Sequence, residues 1–298
     1  MSTGEILLAL PLPIDLALTV ASHGWAYLAP WIWEPENGVL ARRERIAGDI
    51  GEVAAEQRDR TTIAIWYRGF PASAEPEIIC RVRRWLSADW DPAEAITVLG
   101  EDGALIRRGG GRILRCSSFY EDFVKTVLTI NTAWSSTCRM AAALVAEPGG
   151  GVFPPPDTIL EYDEALLRER AKLGFRAPTV VSATRRMLQD GVIDRNGDGR
   201  PEYDYLISLR GIGPYAAAHC RLLLHDFSRI PVDTVVMAYL RDRHASDPET
   251  FTVNRAAWGN YLALGYRLAR LQDKLDSATP PETSESPASA TINTNLQG

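Results

Sequence analysis

Short apolar and β-branched runs alternate with polar positions from residue 14 to about 110, and Gly, Pro or Asn closes each run: "IDLALTV", "GWAYLAPWIWEPENGVLARRERI", "TTIAIWYRG". A period of two predicts antiparallel strands with one buried face, and the "ENG" at 36–38 predicts a hairpin turn. The spacing then becomes helical in "AEPEIICRVRRWLSADWDPAEAITVLGED" and stays so from "SSFYEDFVKTVLTINTAWSSTCRMAAALVAE" onward. Ser118, with Glu121 three residues later, reads as the capping box that opens this helical part. Further helices are predicted in "PPPDTILEYDEALLRERAKLGF", "APTVVSATRRMLQDG", "EYDYLISLRGIGPYAAAHCRLLLH", "VDTVVMAYLRDRH" and "NRAAWGNYLALGYRLARLQDKL". The chain therefore reads as α+β: an N-terminal antiparallel sheet with helices over 1–110, then an all-helical domain over 111–276. The last stretch, 277–298, is rich in Ser, Thr and Pro without an apolar face, and reads as a disordered tail.

Composition narrows the class. Of 298 residues, 46% are hydrophobic and 23% charged, enough for a large core. No run approaches the roughly 18 apolar residues of a membrane span, and no basic segment precedes the first apolar residues. The expectation is a protein without a membrane partner, cytoplasmic and nucleoid-associated or nuclear. Cys80, Cys116, Cys138 and Cys220 show no C-x-x-C spacing and the four histidines no H-E-x-x-H pattern, so neither a transition metal nor a cofactor is expected.

A net charge of -6 argues against coating nucleic acid nonspecifically, because counterion release by basic side chains supplies most of such affinity. Arginine clusters in "RVRRW", "IRRGGGRILR" and "RRML" leave room for a local basic groove, or are solvated faces.

Chemistry is suggested first by "LRGIGPY", residues 209–215. Gly211 and Gly213 permit close backbone approach, and the amides opening the next helix, aided by the helix dipole, suit a phosphate. A plain turn between helices explains the same residues. No third glycine supports a dinucleotide fingerprint and no Gly-Lys-Ser/Thr a Walker loop. About twenty residues on, Asp233 in "PVDTVV" is either a functional carboxylate or simply an N-cap.

The hairpin, the "PVD" and their separation, with "GGRILRCSSFYEDFVKTVLTINTAWSSTCRMAAALV" and "LGFRAPTVVSATRRM" ahead of them, resemble the helix–hairpin–helix (HhH-GPD) DNA glycosylase superfamily, in its alkyladenine and 8-oxoguanine glycosylase-like branch. The resemblance spans about residues 14–276. It implies a base-excision-repair enzyme whose partner is double-stranded DNA containing a damaged base, acting as a monomer. Asp233 would be the catalytic carboxylate, and Leu209, Gly211, Gly213 and Tyr215 the phosphate-binding hairpin. Asn131, Phe175 and Arg176 would be the strand-insertion set, Phe175 wedging into the gap left by the flipped base and Asn131 and Arg176 addressing the orphaned opposite base, and Trp134, Tyr215 and His219 would line the base pocket. Relatives that also cut the strand carry a lysine where this chain has Tyr215. A phenol forms no Schiff base, which implies a monofunctional enzyme. Alkylated purines lead as substrates and oxidised purines follow; a noncatalytic module that binds bent or damaged DNA is the rival reading.

One motif stands apart. "DRNGDGRPEYD" opens like a calcium loop, with oxygens from Asp194, Asn196 and Asp198, but Tyr205 occupies the twelfth position. It reads as a polar interhelical loop or a weak calcium site.

Overall fold

The computed structural model describes residues 3–278. Five strands, β1 (Thr3–Ala9), β2 (Trp31–Glu34), β3 (Val39–Ile46), β4 (Asp49–Gln57) and β5 (Thr62–Arg68), form one antiparallel sheet in the order β1-β5-β4-β3-β2. The predicted "ENG" turn joins β2 to β3, with Gly38 at φ 64°. Leu40, Val53, Ile63 and Ile65 turn into the core.

Two local readings change. The chain before residue 14 contributes β1, an edge strand. "IDLALTV" is not a strand but holds α1 (Leu16–Val20), because Asp15 caps it by accepting from the Leu18 amide at 2.8 Å.

Helices follow: α2 (Glu75–Trp85), α3 (Ala93–Leu99), α4 (Ala104–Arg107), α5 (Phe119–Leu128), α6 (Trp134–Ala146), α7 (Pro156–Glu161) and α8 (Glu164–Glu169). After these come α9 (Ala177–Gln189), α10 (Tyr203–Ile207), α11 (Pro214–Leu223), α12 (Thr234–His244), α13 (Pro248–Asn254) and α14 (Leu262–Ala278). Ser118 caps α5 through the Glu121 amide, as its sequence predicts. Helix α5 is buried along its whole length, with α11, α6 and α9 packed around it. The tail expected over 277–298 lies, from residue 279 on, outside the described residues. No helix among the described residues is long and apolar enough to cross a membrane.

Burying α5 brings charges into the interior, and they are matched there. Arg42 of β3 donates both terminal nitrogens to Glu121, at 3.1 and 2.8 Å, and its Nε lies 2.6 Å from Glu44. Lys125 reaches Glu121 at 2.8 Å. Asp122 accepts from Trp25, Arg84 and the Cys116 amide. The sheet and the central helix are thus joined by ion pairs in a medium where an unmatched charge is costly.

The arginine clusters are drawn into the same scaffold. Arg81 pairs with Glu44 and Glu77, Arg115 with Asp89, and buried Arg112 donates to the Ser87 and Trp90 carbonyls. Arg186 of "RRML" bonds Asp190 and the Ser208 carbonyl.

Candidate active site

Helices α10 and α11 form the hairpin. Gly211 sits at φ 82°, and a Cβ there would collide with Thr179 Oγ1, so both backbone and space demand glycine. Gly211→Ala is expected to destabilise the protein by about 1–3 kcal/mol, read as a lowered midpoint in urea. Gly213 has open space around its missing Cβ and extended backbone. It starts α11 with Pro214 next, and no side chain caps this end. The first-turn amides are therefore left for an external acceptor. Leu209 is buried beneath the turn, its carbonyl accepting from the Ile212 amide.

Asp233 is half-buried and caps α12, accepting from the Val236 amide at 2.8 Å. The N-cap reading of this acid holds, and the cap fixes the carboxylate's orientation at the edge of an open cleft. No cation lies within ion-pairing distance of it among the described residues.

That cleft measures about 1080 Å³. Gly211, Gly213, Tyr215, His219, Asn131, Trp134 and Asp233 all line it, so seven of the sequence-selected residues converge from α11, the α5–α6 connection and the start of α12. Asn131 turns the chain between α5 and α6 at φ 46°. The half-exposed Trp134 ring packs over Gly24, where a Cβ would meet it at 2.5 Å.

Other selected residues stand elsewhere. Phe175 is 62% exposed outside the cleft, and its ring covers the Arg176 guanidinium at 4.2 Å. Arg176 is buried and donates to the Ile130 and Asn131 carbonyls, so it braces the Asn131 turn from behind. Asp194, Asn196 and Asp198 close a separate turn. The Asp194 carboxylate accepts from the Asp198 amide at 2.9 Å, and the Gly197 carbonyl accepts from the Tyr120 amide at 2.9 Å. Among the described residues no group of three or more His, Cys, Asp or Glu side chains gathers as a metal site.

Sequence reasoning missed two walls. One is the 21–27 segment, which brings His23, Trp25 and exposed Tyr27. His23 and Trp25 ring centroids lie 4.6 Å apart, and His219 lies 5.1 Å from Trp25, 5.8 Å from His23 and 5.9 Å from Tyr215. Burial, reinforced by the Arg267 charge, pushes His219 down to about 3 and holds His23 well below its ordinary value, so both rings are neutral at pH 7. Burial also raises the Tyr215 phenol, whose hydroxyl bonds Thr129 at 3.2 Å.

The other wall is α14, where Arg267, Arg270 and Lys274 face the cleft without a carboxylate within ion-pairing distance among the described residues. Burial and the two neighbouring arginines lower the Lys274 ammonium. The signal was present in "RLARLQDK" as basic residues three and four apart, one helical face.

The fold is shared with solved structures of 3-methyladenine and 8-oxoguanine DNA glycosylases. The 3-methyladenine DNA glycosylase of Archaeoglobus fulgidus superposes with a TM-score of 0.67 at 18% identity, over 90% of this chain and 98% of that one. MBOgg1 in complex with a low-affinity DNA ligand gives 0.65 at 16% identity, over 92% and 99%. The apo form of the 8-oxoguanine glycosylase/lyase of Clostridium acetobutylicum gives 0.64 at 15%, over 90% and 95%. No protein-family model matches the chain, and no curated protein matches it in sequence.

Proposed function

We propose that this protein is a base-excision DNA glycosylase that hydrolyses the N-glycosidic bond of a damaged purine flipped out of duplex DNA, leaving the strand uncut. The observation that carries this reading is the position of Asp233, held by its cap at the edge of a cleft that also contains the hairpin amides and Asn131.

In this reading the phosphate beside the target nucleotide docks on the first-turn amides of α11. Extracting the base costs a few kcal/mol, least for a damaged or mismatched one. Asn131 enters from the cleft wall toward the vacated stack, and Phe175, its exposed face outside the cleft, meets the duplex beyond. As the C1′–N9 bond breaks, its electron pair leaves with the base and positive charge develops on the sugar. The Asp233 carboxylate stabilises that charge, and a water oxygen then bonds C1′ while its proton passes through solvent to the departed base, which leaves as the neutral purine.

The uncut strand in this reading rests on the hairpin position, which carries no amine. The chain has three lysines, and Tyr215 occupies the hairpin position. Lys125 is committed to Glu121 in the core and Lys172 precedes the Gly174 turn, whereas Lys274 lines the cleft from α14 and is the amine that the trapping experiment interrogates. The test is base release from duplexes carrying alkylated, oxidised and deaminated purines, with and without alkali, alongside borohydride trapping. Alkali-dependent nicking without a trapped adduct supports the reading; nicking without alkali and a borohydride-stable adduct would remove the monofunctional part.

Arg270 and Lys274, both without a carboxylate partner, supply the local positive surface that the overall charge of -6 lacks. Arg270→Gln and Lys274→Gln are each expected to weaken binding to any duplex and to flatten the dependence of log Kd on log salt by about 0.9 for each phosphate left without its cation. Titrations at several salt concentrations check this; an unchanged slope would place the DNA elsewhere.

A further inference from the structure

We propose, resting on the glycosylase reading, that the cleft floor selects a neutral purine presenting an N–H beside a carbonyl, as oxidised and deaminated purines do, over a cationic N-alkylated purine, and that His23 and Arg267 set this preference.

The tautomer of His23 is fixed by its neighbour. Its Nε2 lies 2.6 Å from the Leu114 carbonyl oxygen, which can only accept, so Nε2 carries the proton. In the neutral ring Nδ1 is then a bare acceptor, and it is buried without a protein partner. Burial, the Arg267 charge and the nearby His219 all keep the ring neutral.

Arg267 stands beside it. One terminal nitrogen donates to the Ser22 carbonyl, the residue preceding His23, while Nε is buried without a hydrogen-bond partner. Burial lowers the guanidinium to about 10, which leaves it a cation at neutral pH. His219, 7% exposed, adds an unpartnered buried Nε2 on the same floor.

An acceptor and a cationic donor so placed match N7–H beside the C8 carbonyl of 8-oxoguanine, or N1–H beside the C6 carbonyl of hypoxanthine. Leaving buried polar groups of a site unpaired is costly, so a base without that edge is rejected. Undamaged guanine shares the second edge, but its stable pair raises the cost of flipping. An N7- or N3-methylated purine nucleoside instead carries a formal positive charge. It would face an unpaired guanidinium, and Asp233, the one acid lining the cleft among the described residues, is engaged with the sugar cation.

The experiment is single-turnover release from duplexes carrying 8-oxoguanine, hypoxanthine or 7-methylguanine, by the full chain and by Arg267→Gln, Arg267→Lys and His23→Phe. The wild type is expected to release at least one neutral lesion tenfold or more faster than 7-methylguanine. Arg267→Gln is expected to shift that ratio tenfold or more toward 7-methylguanine, whereas Arg267→Lys retains part of the discrimination because it keeps the charge. His23→Phe, which keeps a ring but removes the acceptor, is expected to slow the neutral lesions selectively. Thermal melting and abasic-duplex binding identify any variant that fails to fold, and the wild-type ratio decides the matter in that case. Fastest release of 7-methylguanine by the wild type overturns the inference while leaving the glycosylase reading standing. Equal slowing of all three lesions by Arg267→Gln also overturns it. No release of any lesion by the wild type removes the glycosylase reading and the inference with it.

Discussion

Asp233→Asn is expected to lower single-turnover base release by about 10²–10³-fold, the scale on which one preorganised electrostatic group acts at a charge-developing centre. The substitution separates the observed cap from the catalytic role proposed for this side chain. Asparagine is as good an N-cap as aspartate, so its side-chain oxygen continues to accept from the Val236 amide and α12 keeps its first turn. What disappears is the negative charge that the proposed mechanism sets against the sugar. Melting temperature and affinity for an abasic duplex should therefore stay near wild type while release collapses. A variant that melts normally and retains full activity would show that another group carries the chemistry.

Glu121→Gln is expected to cost about 3–5 kcal/mol of stability, the range for breaking a buried ion pair by removing one partner. Lys125 would remain in the interior without its carboxylate, and Arg42 would keep only Glu44. The same residue sets an acid limit. Burial alone would raise its carboxyl, but the Arg42 and Lys125 charges prevail and hold it at about 2. In the unfolded chain a glutamate titrates near about 4.3. A carboxyl lowered on folding contributes fully above the unfolded value, and that contribution drains away as pH falls toward the folded one. Urea midpoints should accordingly drop between about pH 4.3 and 2 in the wild type, and the Gln variant should lose less over that interval. Equal pH dependence in the two proteins would exclude Glu121 as the source.

How much of the molecule is legible in its sequence depends on distance along the chain. The β2–β3 turn, the capping box of α5 and the hairpin are each written within a few residues, and each forms where its residues stand. The strand reading of "IDLALTV" failed because a short apolar run does not distinguish strand from helix, and the Asp15 cap decided it. The cleft mixes both cases. Its hairpin and Asp233 lie in one segment, but His23, Trp25 and Arg267 join them only through tertiary packing, which no local pattern encodes. The arginine clusters misled for the same reason: their acidic and carbonyl partners come from remote positions, as with Arg84 and Asp122 or Arg81 and Glu44.

The bond from Arg267 to the Ser22 carbonyl joins residues 245 positions apart. One rim of the cleft is thus synthesised early in translation and the opposite rim late. A chain still emerging from the ribosome, or one clipped by a protease before α14, can present the hairpin and Asp233 yet lacks the wall that would enclose a base. On the proposed reading, base release then becomes possible only once α14 has been made and docked.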